Sequence, residues 1–345
     1  MMRFGVHEQY QDGPNRTTPN ESKQRYPLLM VTREFKGGVI KPQNLIPSLN
    51  NLCKATWDAG LTCNVSFKFS RAEVLDGKWR VYIDQAVNWL RDNERTAQTI
   101  VTIWHEPEDD ASDSFRDGRA KEFESGIDFV EYFDTVHNWI KEIDPNLLTS
   151  HAALGYGYRP AVGGTNDKSA WVADPANWVT KADIHAVDLY SGRSFPLDVT
   201  LGSSTAFKRW LDSRPGNSAW GVSERGWITG KYGQSAERVA SINAEFDWLM
   251  TLPLSALPEF YIVWNTEGTE NDPQIILDDY AIAAVNEGFS RLDQKIKLGS
   301  APPVEPTPEP VPSASTKVCP TCNGNGEIPS SYTVSTTITA GCGNG

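Results

Sequence analysis

The sequence predicts an α/β chain closed into a (β/α)8 (TIM) barrel, and three observations predict it. Short apolar, β-branched or aromatic runs recur through the first 300 residues; segments of helical periodicity separate them; and the runs number eight. Eight parallel strands with crossover connections close naturally on themselves. An open doubly wound sheet is the alternative, but no glycine-rich phosphate loop follows the first run. The 345 residues, 12 of them Trp, suffice for one large core.

In chain order, the first strand is expected over Arg3 to His7. The connection after it is short and polar, so no full helix is expected there. Leu28 to Arg33 is the second apolar run. Leu45 to Ala59 has helical spacing and stops at Gly60. Thr62 to Phe69 forms the third strand, followed by a helix over Tyr82 to Arg91. The β-branched run Thr99 to Trp104 is the fourth strand. Gly126 to Ile143 is a long amphipathic helix, ended before Pro145. Leu147 to His151 and Ile184 to Leu189 are the fifth and sixth strands, and Ala206 to Ser213 the next helix. Trp220 to Ser223, the helix Ser235 to Met250, the strand Phe260 to Trp264 and the helix Asp278 to Leu292 complete the series.

The barrel is expected over residues 1–298. A Pro/Glu-rich linker, 299–317, is stiff and extended by composition. Residues 318–345 form a tail that carries Cys319-Pro-Thr-Cys322-Asn-Gly324-Asn-Gly326 and Cys342.

A net charge of −12 argues against nucleic acid and anionic membrane as partners, since a polyanion would meet repulsion. No run reaches the length of a membrane-spanning helix. The first residues lack the pattern of a secretory signal, so synthesis as a soluble cytoplasmic product is expected. Cys53 and Cys63 lie in apolar stretches and read as buried thiols.

Two strand ends carry the chemistry. Thr99-Ile-Val-Thr-Ile-Trp104 runs into His105-Glu106-Pro107, and Trp220-Gly-Val-Ser223 runs into Glu224. In a barrel, the C-terminal strand ends form the active face, so both carboxylates are expected on one rim. Two carboxyl groups flanking a glycosidic bond suffice for its hydrolysis: one protonates the leaving oxygen, and the other attacks the anomeric carbon when the pair lies about 5–5.5 Å apart. Trp104 and a negative nucleophile nearby would favour a protonated Glu106. Solvated strand-end glutamates are the plain alternative.

These residues resemble the retaining glycoside hydrolases of clan A, most closely family 26, which includes β-mannanases. The resemblance rests on His105-Glu106, on Ala182-Asp-Ile-His-Ala-Val-Asp188-Leu-Tyr190 and on Ser223-Glu224-Arg-Gly226, and spans about residues 2 to 295. It implies Glu106 as acid/base, Glu224 as nucleophile, His105 as a contact near the cleaved bond, and Tyr190 as a hydrogen-bond partner of the nucleophile. Pro107 departs from the family pattern, and substrate specificity is not inherited. No cofactor is implied for catalysis.

Trp264, at the end of the eighth strand, is a candidate sugar platform. His7, Arg33 and Trp104 join it as candidate substrate contacts, and Lys68 and His151 lie near other strand ends; each has an ordinary packing role as its alternative. The acidic run from Glu106 to Asp110 lacks a compact metal-ligand pattern. Trp139 reads as packing.

The tail's Cys-x-x-Cys and Gly-x-Gly resemble one repeat of the zinc region of DnaJ-type chaperones. Cys319, Cys322 and Cys342 are candidate zinc ligands, three where a tetrahedral site needs four; an unstructured tail or a contact peptide is the alternative. The whole pattern of barrel, spacer and cysteine-containing terminus resembles minor tail proteins of bacteriophages that infect actinobacteria. That likeness implies a place in the virion tail, a host cell-surface or cell-wall polysaccharide as substrate, and other tail proteins as partners. A glycan-binding module without turnover and a structural virion component are the competing functions.

Overall fold

The computed structural model describes residues 2–8, 17–107, 122–123, 125–154, 179–190, 197, 206–227, 235–265 and 277–299. The chain divides into two units, Met1–Ser300 and Ala301–Gly345. The second unit lies outside the described residues, and with it the linker, the tail and the candidate ligands Cys319, Cys322 and Cys342.

Eight parallel strands close into a barrel in sequence order, as expected. They are β1 Arg3–His7, β2 Val31–Val39, β3 Thr62–Lys68, β4 Thr99–Ile103, β5 Leu148–Leu154, β6 Ile184–Tyr190, β7 Ala219–Gly226 and β8 Phe260–Trp264. β1 closes the ring against β8, from Arg3 opposite Phe260 to His7 opposite Trp264. The described helices are α1 Pro19–Arg25, α2 Leu45–Asp58, α3 Arg71–Leu75, α4 Arg80–Asp92, α5 Gly126–Ile143, α6 Ala206–Asp212, α7 Ser235–Thr251 and α8 Asp279–Gly299. None of them is long and apolar enough to cross a membrane.

Two expectations need correction. The first connection does hold a helix, α1, although its sequence is polar throughout. Its ends explain it: Pro19 opens the first turn, and Thr18 and Glu21 form a reciprocal capping box that satisfies two otherwise unpaired N–H groups. β2 begins at Val31 rather than Leu28 and runs on to Val39, with a break in register between Phe35 and Val39.

Strand alternation divides the core into two layers. Val31, Ile100, Ala152, Ile184, Ala186, Phe260 and Ile262 pack together inside the barrel. Gly221 makes room there, since a Cβ at that position would lie 2.7 Å from the Phe260 ring. Residues of opposite parity meet the helices. α2, for example, buries Leu45, Leu49, Leu52, Cys53, Thr56 and Trp57, a stripe of helical period. α5 buries Phe129, Tyr132, Phe133, Val136, His137 and Ile140, and Ser125 caps its start.

One ion pair is sealed in the outer layer. Arg225 of β7 meets Glu245 of α7 with Nη2–Oε2 at 2.5 Å and Nε 2.9 Å from both carboxylate oxygens, while the Tyr261 hydroxyl donates to the same carboxylate. Both charged side chains are 1% exposed. Glu245→Ala strands a buried guanidinium without its counter-charge, and we expect a loss of about 3–5 kcal/mol in urea unfolding. A loss under about 1 kcal/mol would mean that Arg225 finds water.

Candidate active site

The C-terminal ends of the strands bring together most of the residues singled out from the sequence. At the end of β4 the backbone leaves the strand region: Trp104 and Glu106 have φ of 55° and 51°. These left-handed values cost a non-glycine residue about 1–3 kcal/mol each, and such strain clusters at functional sites. Pairing to both neighbours survives, with Trp104 N–H donating to the Phe67 carbonyl at 3.0 Å and Glu106 N–H to the Ala152 carbonyl at 2.9 Å. His105 thus reaches Ser66 of β3, with Nδ1 and Oγ 2.8 Å apart, and Glu106 stays half-buried at the rim.

Glu224 owes its direction to a bulge. Val187 pairs with Val222, but Asp188 pairs with Glu224, so Ser223 is one residue in excess. Gly221 faces the barrel interior, and unbroken alternation would bring Ser223 inward and send Glu224 toward the helices. The extra residue returns Glu224 to the inside, and a bulge beside a site commonly re-aims a side chain in this way. Ser223 still donates its hydroxyl to Asp188.

Glu224 is 4% exposed, and both of its oxygens are engaged. Arg33 Nε lies 3.3 Å from Oε1, and the Tyr190 hydroxyl donates to Oε2. One oxygen each of Glu106, Asp188 and Glu224 lies within 4.8 Å of the other two. Three carboxylates so close cannot all be ionised cheaply. Burial and the charges of Glu224 and Glu106 push Asp188 far above the usual carboxylate range, against the opposing effects of Arg33 and of the Ser223 hydrogen bond. Burial also raises Glu224, but the Arg33 guanidinium and the Tyr190 hydroxyl oppose the shift. Asp188 is thus the carboxyl pushed more strongly toward its protonated form, while the Arg33 guanidinium and the Tyr190 hydroxyl favour the anionic form of Glu224.

Such an oxygen set would suit a hard divalent cation in principle. Here the charge next to Glu224 is already met by a guanidinium, and the chemistry these residues support is proton transfer and nucleophilic attack.

An aromatic group borders the carboxylates. Trp264 is half-buried and stacks on His7, with centroids 4.0 Å apart at 23°. Phe35 lies nearly parallel to Trp264 at 5.9 Å and tilted 5.5 Å from His105; Tyr190 stands edge-on to Trp264 at 5.8 Å. His7 itself is 7% exposed and bonds through Nδ1 to the Arg33 carbonyl, so it supports the Trp264 ring more than it faces a ligand. Burial lowers His7 to a pKa of about 4. Burial, aided by Lys68 and Arg33, takes His105 well below its ordinary value. Both imidazoles are neutral at pH 7.

Trp104 is placed otherwise than expected. It is 2% exposed and packs edge-on against Phe123 and Tyr132, with Lys68 Nζ 5.4 Å from the ring centre. The left-handed turn at Trp104 puts its ring with the helix-layer aromatics, the packing placement that was its alternative. His151 is likewise no strand-end residue, since β5 runs on to Leu154 and the imidazole is buried against Phe129, Phe133 and Trp210. Trp139 packs on the core as expected.

Sequence reasoning missed Asp188, Phe35 and Ser66. Asp188 had a signal, for it shares strand parity with Ile184, Ala186 and Tyr190 and so faces the same side. Phe35 had none, because the second strand was expected to end two residues earlier.

No family model and no curated protein matches this chain in sequence. Solved structures do match in fold. A thermostable mutant of a xylanase (Xyn10A) from Cellvibrio japonicus aligns with a TM-score of 0.57 and 13% identity, over 84% of this chain and 98% of that one. The exo-beta-1,4-mannosidase Op5Man5 from Opitutaceae bacterium strain TAV5 gives 0.55 and 13%, over 86% and 60%. A glucosidase from Croceicoccus marinus gives 0.52 and 11%, over 83% and 65%. The chain spans less than two thirds of the length of the last two. At these identities the likeness is one of fold.

Proposed function

We propose that the chain is a retaining glycoside hydrolase acting on a polysaccharide, with Glu106 as acid/base and Glu224 as nucleophile. The observation that carries this reading is the separation of the two carboxylates at the rim. One oxygen of each lies within 4.8 Å of one oxygen of the other, which favours the short carboxyl spacing of retaining enzymes, about 5–5.5 Å, over the roughly 6.5–9.5 Å that leaves room for water in inverting ones.

In this mechanism Glu106 protonates the departing glycosidic oxygen while Glu224 attacks the anomeric carbon from the other face. Glu106, now a base, then takes a proton from water, which releases the sugar from Glu224. Arg33 keeps Glu224 anionic and Tyr190 holds its second oxygen. Trp264, braced by His7, offers an apolar ring for a sugar face, and His105 and neutral Asp188 offer hydrogen bonds to hydroxyls.

The motifs at β4, β6 and β7 favour a family 26-like enzyme of clan A, and the xylanase, mannosidase and glucosidase folds agree with a hydrolase. The Pro-rich spacer and cysteine-containing terminus favour a minor tail protein in a phage virion. In that setting the substrate is a host cell-surface or cell-wall polysaccharide, and other tail proteins are partners through the tail. Cys319, Cys322 and Cys342 are proposed as zinc ligands there.

The test is release of reducing ends from mannans, xylans, glucans and actinobacterial wall polysaccharides. Wild type should release them from at least one class. Binding by wild type, Glu106→Ala and Glu224→Ala with no release by any would replace the hydrolase with a glycan-binding module. Glu106→Ala should lower the rate about 10²–10⁴-fold on the polysaccharide. On an aryl glycoside whose leaving group needs no proton, the loss in the bond-cleaving step should shrink to near tenfold or less. Equal losses on both substrates would remove the acid role from Glu106.

A further inference from the structure

Cys53 and Cys63 form a second chemical site, remote in role from the carboxylates. Cys53 lies on the buried stripe of α2 and Cys63 near the start of β3, both fully buried, and their sulfurs are 2.8 Å apart. Sulfur atoms of separate thiols ordinarily rest well beyond that distance, whereas a disulfide bond needs about 2.05 Å. Less than an ångström of side-chain movement separates the pair from bonding. The helix and strand that carry them are already packed against one another.

We propose that Cys53 and Cys63 are a cystine site, closed when the chain folds under oxidising conditions, which staples α2 to β3. Each thiol gives up its hydrogen and the two sulfurs form one bond. The two electrons and two protons pass to a small disulfide such as oxidised glutathione, which leaves as two thiols. Closure belongs to folding because burial, with the Glu34 carboxyl nearby, pushes both thiols up and leaves little thiolate in the folded protein. The same burial shields the finished bond from reductants. A closed loop of about ten residues restricts the unfolded chain, so the oxidised form should melt a few degrees higher.

The test uses the full chain, unfolded in urea and refolded in oxidised or in reduced glutathione buffer. Remaining thiols are then alkylated and the protein digested with trypsin without reduction. Cleavage at Lys36, Lys54 and Lys68 separates the two cysteines into peptides 37–54 and 55–68, because Lys41 precedes Pro42. The expected result is a linked 37–54/55–68 pair from the oxidised sample that reduction splits, together with the higher Tm. That Tm rise should vanish in Cys53→Ser. Folded protein from the oxidising buffer with both cysteines alkylated, or either one joined to a tail cysteine, would overturn the proposal. So would a linked pair with no change in Tm.

Discussion

Replacing Glu224 by Ala should lower turnover by at least about 10⁴-fold while leaving the fold and glycan binding in place. The size of the effect follows from the role: without the carboxylate no covalent intermediate forms, and nothing else in the described cluster is placed to attack. Asp188 is the nearest rival, but burial and the neighbouring Glu224 and Glu106 favour its neutral form, and it is Glu224 that pairs with Arg33 Nε. Removal also takes away the anion to which Arg33 is paired, so the urea midpoint of the variant is a necessary control. A small anion such as azide, admitted into the space left by the side chain, should restore part of the rate and yield a glycosyl azide. Rescue of that kind in Glu224→Ala but not in Asp188→Ala would assign the nucleophile. Full activity in Glu224→Ala would remove it from the mechanism.

The second large effect is loss of stability in mild acid. All five histidines of the chain are held below their ordinary value of 6.5, mainly by burial: His7 and His137 to about 4, His185 to about 3, and His105 and His151 well below 6.5. A base with a depressed folded pKa stays neutral in the folded state while the unfolded chain takes up a proton. Its contribution is therefore complete above pH 6.5 and is lost as pH falls from 6.5 toward the folded value. Asp188, Glu34, Glu224 and Asp134 act in the opposite sense, because their raised values let the folded state bind protons first. The five histidines outnumber these four carboxyls, so stability should fall as pH drops from 6.5 toward 5. Each proton by which the unfolded chain exceeds the folded one steepens that fall by about 1.4 kcal/mol per pH unit. Urea midpoints at pH 7.5, 6 and 5 measure it, and His137→Gln should lessen the slope by nearly one proton. A flat profile over this range would show that the buried carboxyls cancel the histidines.

The barrel was legible because parallel strands buried on both faces leave continuous β-branched runs such as Thr99-Ile-Val-Thr-Ile, and because helix stripes repeat with a clean period. α1 escaped notice since its stability lies in its caps and not in an apolar face. The second strand was misplaced because Leu28 and Leu29 continue the apolar run into a turn that only tertiary packing reveals. At the site, Glu106 and Glu224 stood out as acidic residues ending apolar runs. The features that orient them were not visible. A left-handed turn at two non-glycine residues and a one-residue bulge leave no mark on composition or period, and the turn is what sends Trp104 away from the cleft. Asp188 lay within view, but its importance comes from two glutamates contributed by other strands.

The stereochemistry of the product tests the central claim most directly. Proton NMR of the first sugar released, recorded before mutarotation, distinguishes the two outcomes for any polysaccharide the enzyme cleaves. Carboxylates as close as Glu106 and Glu224 predict retention, with the new reducing end in the configuration of the bond that was cut. An inverted first product would contradict direct attack by Glu224 and require a water between the two carboxylates.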